Sequence, residues 1–106
     1  MTLMEDYIFE LYIAGDTPRA RSAVETLTHL CETWLHGRYA LRVIDVLVEP
    51  ERAESAKILA TPTVLRLQPN PNVRLVGDLT LTGKVLTGLG LPVQVEHMAT
   101  EGRNDE

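Results

Sequence analysis

The chain has 106 residues, a formal net charge of −5, 44% hydrophobic residues and 24% charged residues. That length holds one domain with a thin core, and the balance is that of a folded domain rather than a disordered chain. The negative charge argues against nucleic acid or an anionic membrane surface as partner, since both select excess Lys and Arg. Part of the charge is local: Glu96, Glu101, Asp105 and Glu106 face only Arg103 near the end of the sequence. A lone cysteine, Cys31, excludes an internal disulfide and a multi-thiolate metal cage, and fits a reducing compartment. No apolar run approaches the ~20 residues needed to span a bilayer. The first six residues lack the basic region and long apolar stretch of a signal peptide, so a cytoplasmic location is expected.

The run Tyr7–Ile13 reads as a first strand, apolar on both faces except at Glu10, which suits a strand inside a sheet. A break at Ala14-Gly15-Asp16 precedes a helix start, with Asp16 or Thr17 as N-cap and Pro18 near the first helical position. Ala23, Val24, Leu27, Leu30, Cys31, Trp34 and Leu35 then recur at helical spacing on one face, and Gly37 ends the helix. Tyr39–Leu47 reads as a second strand, so this first half is a βαβ unit with parallel strands. Pro50 and Glu51 open a second helix that is predicted to run to about Leu59, with Ala53, Ala56 and Leu59 inward. Val64–Leu67 and Val73–Val76 read as a hairpin around the turn cluster Pro69-Asn70-Pro71-Asn72. From Leu79 to Leu91 the pattern admits both a helix and an extended reading. Gly83, Gly88 and Gly90 weaken the helical reading, since a glycine costs a helix interior ~1 kcal/mol relative to alanine. One domain over residues 1–106 is expected, with a folded core over about residues 7–91 and an acidic tail over about 92–106.

The order β-α-β-α-β-β-α is that of a thioredoxin-like α/β fold, and Thr61-Pro62-Thr63 stands where such folds place a cis proline before the hairpin. Thioredoxins carry Cys-x-x-Cys between the first strand and first helix, where the helix N-terminus lowers the thiol pKa. Here that stretch is Ala14–Pro18, without sulfur, so dithiol exchange lacks its resolving thiol. Cys31 falls on the buried stripe and reads as a small core residue. His29, His36 and His97 share no metal-ligand spacing, so no metal site is expected. No phosphate-binding glycine loop and no Ser-His-Asp set is present, and no cofactor is implied. A domain without a catalytic constellation is read as a binding module and not an enzyme.

The segments Leu11–Pro18, Tyr39–Leu47, Lys57–Thr63, Val76–Leu79 and Lys84–Leu86 together resemble the KaiB family of circadian-clock proteins over residues 7–91. The resemblance implies a non-enzymatic regulator that switches between a tetramer, whose second half is rearranged, and a thioredoxin-like monomer. The monomer would bind the N-terminal ATPase ring of a KaiC-like hexamer and affect its phosphorylation state. A KaiA-like protein and a SasA-like kinase are implied as further partners, and a homotetramer or dimer as the ground state.

By position, the resemblance puts Lys57, Ile58 and Leu59 on the second helix in the KaiC-facing surface. It places Arg42 near the KaiA-facing one. Pro62, Gly77, Asp78, Gly88 and Gly90 fall in the segment linked to the switch. The chain departs from the family where Gly90 replaces a usual aspartate and Ser22 a common basic residue. It departs again where Val48-Glu49 replaces a basic-polar pair, and where Asn70 and Asn72 interrupt a proline-rich turn. These departures imply, as an alternative, a divergent module for another KaiC homologue or for a SasA-like kinase in stress signalling. A redox enzyme using Cys31 is a third reading.

Overall fold

Seven elements follow one another in the computed structural model, which describes residues 6–77 and 82–91. They are β1 (Tyr7–Ile13), α1 (Pro18–Leu35), β2 (Tyr39–Asp45), α2 (Pro50–Ser55), β3 (Thr63–Gln68), β4 (Val73–Val76) and α3 (Thr82–Leu89). Asp78, the run Leu79–Leu81 and the acidic segment 92–106 with His97 lie outside the described residues. The strands form one sheet in the order β2-β1-β3-β4. β1 lies parallel to β2 and antiparallel to β3, and β3 pairs antiparallel with β4. The apolar β1 thus takes an interior position, as its sequence predicts.

Period-two alternation sends successive side chains of each strand to opposite faces. On one face Phe9, Leu11 and Val64 pack with Leu27, Leu30, Cys31 and Leu35 of α1 and with Val85 and Leu89 of α3. This is the larger core. On the other face Tyr12, Ile44 and Leu65 form a smaller cluster, against which Ala56, Ile58 and Leu67 pack.

α1 starts where its cap chemistry puts it. Thr17 is extended (φ −115°, ψ 163°), its Oγ1 accepts the Ala20 N–H at 3.0 Å, and Pro18 follows directly. The predicted stripe faces the core, extended by Ala20, while Val24 and Trp34 are partly buried at its margin. His36 ends the helix in the left-handed region at φ 51°, with Gly37 following at φ 82°. His29 is exposed.

Two boundaries differ from the sequence reading. β2 stops at Asp45 and not at Leu47. The Asp45 carboxylate accepts the N–H groups of Gly15 (3.0 Å) and Leu47 (2.9 Å), turning the chain and tying it to the β1–α1 loop. α2 ends at Ser55, not near Leu59. Lys57 takes φ 57°, its N–H bonds the Glu54 carbonyl (3.1 Å), and the Ile58 N–H bonds that of Ala53 (2.9 Å). That pair of bonds is the Schellman termination of a helix, built here on a lysine. The last glycine-rich stretch resolves in favour of helix, as α3.

Candidate functional site

The residues singled out by resemblance fall into separate places. Lys57, Ile58 and Leu59 are not on a helix face: they form the irregular link from α2 to β3. Their environments diverge. Lys57 is exposed at the helix stop, Ile58 is partly buried against the Tyr12–Ile44–Leu65 cluster, and Leu59 is 96% exposed. Only Ile58 of the two aliphatic residues is core, and Leu59, predicted inward on α2, points to solvent.

Pro62 is buried and its peptide bond with Thr61 is cis. Its carbonyl accepts the Gly77 N–H at 3.0 Å, so Pro62 and Gly77 meet at the end of the hairpin. Arg42 is exposed on the edge strand β2, opposite Glu10 in register. Gly88 and Gly90 lie apart from these, under Leu75 and Arg66 respectively.

The sequence reading missed other exposed apolar residues. Leu47 (71% exposed) and Val48 (72%) stand in the turn after β2, and Val76 (54%) closes β4. The register places them with Leu59 at one end of the sheet. Tyr12 at the end of β1 pairs with Thr63 at the start of β3, and Thr63 pairs with Val76. This end also holds Ala14–Pro18, where thioredoxins keep their thiols. The sheet end thus carries a rim of separate exposed apolar side chains, with Leu47 and Val48 past its β2 edge and Val76 on its β4 edge. Only Val76, next to the Gly77-Asp78 turn, carried a signal in the sequence; Leu47 and Leu59 read there as parts of a strand and a helix.

Alongside the rim, a shallow groove of about 670 Å³ lies on the smaller-core face, lined by Glu10, Tyr12, Arg52, Lys57, Leu65 and Arg74 among others. Arg52 of α2 donates to Glu10 at 3.0 Å, and the Tyr12 hydroxyl donates to the other Glu10 oxygen at 2.8 Å. Burial, with Glu10 beside it, raises the Tyr12 pKa. The groove contains bonded polar groups, and its chemistry is that of a scaffold holding α2 to the sheet.

Cys31 is fully buried, and burial followed by the Glu32 charge pushes its thiol up to about 12, so at neutral pH it is no nucleophile. Among the described residues no group of three or more His, Cys, Asp and Glu is placed to hold a metal, and no helix is long and apolar enough to cross a membrane.

Comparison with known proteins agrees with this frame. The family model described as "KaiB domain" matches residues 10–91. The "Circadian clock oscillator protein KaiB" of Parasynechococcus marenigrum is 48% identical over 91 residues, covering 86% of this chain and 88% of that protein. Its namesake from Acaryochloris marina is 47% identical over 90 residues, covering 85% and 86%. Among solved structures, the N-terminal domain of Synechococcus elongatus SasA superposes with a TM-score of 0.67 at 20% identity, covering 85% of this chain and 89% of that one. Chloroplastic thioredoxin z also gives 0.67 at 20% identity, covering 88% and 80%. At that identity the two structures establish a thioredoxin-like fold and no more. The sequence matches span most of the chain at nearly half identity, and on them the chain belongs to the KaiB family of circadian clock oscillator proteins.

Proposed function

We propose that this chain is a non-enzymatic, cytoplasmic clock-type regulator that docks on the N-terminal ATPase ring of a KaiC-like hexamer and modulates its phosphorylation state. The observation that carries the reading is a thioredoxin-like frame with no thiol in Ala14–Pro18 and with exposed apolar side chains at that end of the sheet, Leu59 being 96% exposed three residues before the buried Pro62. An exposed aliphatic side chain is what a partner's pocket can cover, and burying a leucine fully is worth about 1.5–3 kcal/mol. The arrangement described above is taken as the binding form, and a homotetramer with a rearranged second half as its resting counterpart. A partner that binds only one form loses apparent affinity in proportion to that form's population. If the tetramer is the resting form, dilution and partner together favour the monomer.

In the same reading, carried over from the family, this chain would displace a SasA-like kinase from the ring, and a KaiA-like protein would meet the β2 side near Arg42. The test is binding to a KaiC-type hexamer with ATP, with and without Leu59→Ala. The wild type should bind, and the variant should bind at least about tenfold more weakly, as for a central anchor. No binding by the wild type to any KaiC-type ring contradicts the reading.

A further inference from the structure

The β3–β4 hairpin carries two arginines on opposite faces of the sheet, and each ends on a helix. Arg74 donates to the carbonyls of Ala56 (2.7 Å) and Lys57 (3.1 Å), just past α2, on the exposed side. Arg66 does the same for α3, but from inside the protein. It lies on the larger-core face with Val64, is 7% exposed, and donates from Nη1 to the Leu89 carbonyl at 2.7 Å and from Nη2 to the Pro71 carbonyl at 2.8 Å. Leu89 is the last residue of α3, where carbonyls lack intrahelical donors and the helix presents its negative end. Among the described residues no carboxylate pairs with Arg66, and its Nε has no partner. A buried guanidinium is therefore held by two carbonyls, one on the hairpin turn and one on the helix end.

Gly90 is what admits it. A Cβ at this position would stand 2.6 Å from the Arg66 Nη1, far inside van der Waals contact, and the backbone there is left-handed at φ +69°. The Gly90 carbonyl in turn accepts the Tyr7 hydroxyl at 3.4 Å, so the helix end also touches the start of β1. A side chain at 90 requires the Arg66 Nη1 to shift from its place beside the helix end.

We propose that Arg66 and Gly90 form a latch that fastens the C-terminal end of α3 to the β3–β4 hairpin, Gly90 serving as the seat of the guanidinium. Opening the latch leaves a buried charge with fewer partners and a helix end without its cap, and α3 leaves the sheet. One consequence rests on the switching reading above: a side chain at 90, or loss of the guanidinium, lowers the population of the thioredoxin-like form.

Hydrogen exchange on the full chain tests the latch, comparing wild type, Gly90→Ala, Arg66→Met and the double variant. Gly90→Ala should lower the protection of the Val85–Leu89 amides at least about tenfold while Leu27–Cys31 in α1 stays protected, because local units open independently of the global core. In the Arg66→Met background the same substitution should change protection at least about threefold less than in the wild type, since the collision is gone and only the strain of the left-handed backbone at φ +69° remains. Equal effects in both backgrounds, or equal loss in α1 and α3, overturn the proposal.

Should Arg66→Met fail to fold, the Arg66 side-chain resonances decide. Slow exchange in the wild type, lost in Gly90→Ala, supports the latch; rapid exchange in the wild type overturns it. Chemical shifts over residues 63–76 separate this inference from the switch. Release of α3 with the strands intact keeps the latch and removes the switching reading. Loss of the strands with α3 protection unchanged overturns the latch.

Discussion

Lys57 occupies a backbone conformation that costs a residue with a Cβ ~1 kcal/mol or more. Lys57→Gly removes the ammonium while suiting the left-handed φ, so it should leave stability equal or higher and weaken binding to the ring if the charge takes part. Thermal unfolding and titration against the hexamer check the two arms. Leu59→Ala should change stability by no more than ~0.5 kcal/mol, because the side chain is 96% exposed and packs on nothing. A weakened complex with an unchanged melting temperature then marks it as an anchor.

Cys31 makes a pH prediction with a definite sign. Its thiol stays protonated to about 12 in the folded chain, against an ordinary value of 9.0. The folded pKa is the raised one, so the associated stability is fully present below pH 9 and falls as pH rises toward 12. Denaturant midpoints for wild type and Cys31→Ala should converge over that window. Native protein at neutral pH should resist thiol alkylation, and rapid alkylation would contradict the burial.

At the scale of elements, what was legible in the sequence is what local chemistry decides. Thr17, Pro18 and the stripe from Ala23 to Leu35 specify α1, and Thr17→Ala should cost about 1 kcal/mol, read from the unfolding midpoint. The end of α2 was not legible, because a Schellman stop is ordinarily marked by Gly or Asn and here falls on Lys57. The end of β2 was hidden for a related reason: Val46 and Leu47 look like strand, but the Asp45 carboxylate bonds across to Gly15, thirty residues away.

The buried role of Arg66 was not legible, because its partners are a helix end and a turn that no local pattern joins. Gly88 is set by a similar distant contact. A Cβ there would stand 3.1 Å from Leu75 Cδ1, so Gly88→Ala must push β4 and α3 apart or move Leu75. It should alter the monomer–tetramer balance, and Leu75→Ala should suppress the change. Unchanged sedimentation and NMR spectra for Gly88→Ala would contradict this.

For the whole molecule, the firm half is the βαβ unit, whose strands pair in parallel and whose helix supplies much of the larger core. The second half is held by a four-residue edge strand, a short helix and two arginine caps. Fewer local signals specify that half, and for that reason its last stretch admits two readings in the sequence. The apolar rim belongs to this scale too, since it exists only because the register brings the turns after β2 and α2 and the end of β4 to one end of the sheet.

The measurement that tests the account most directly is native mass spectrometry of the chain, alone and after prolonged incubation with a KaiC-type hexamer and ATP. The account predicts a homotetramer alone and single copies seated on the ring after incubation, with Leu59→Ala reducing the bound fraction. A chain that never joins the ring would contradict it, leaving the thioredoxin-like fold in place and its rim for a different partner.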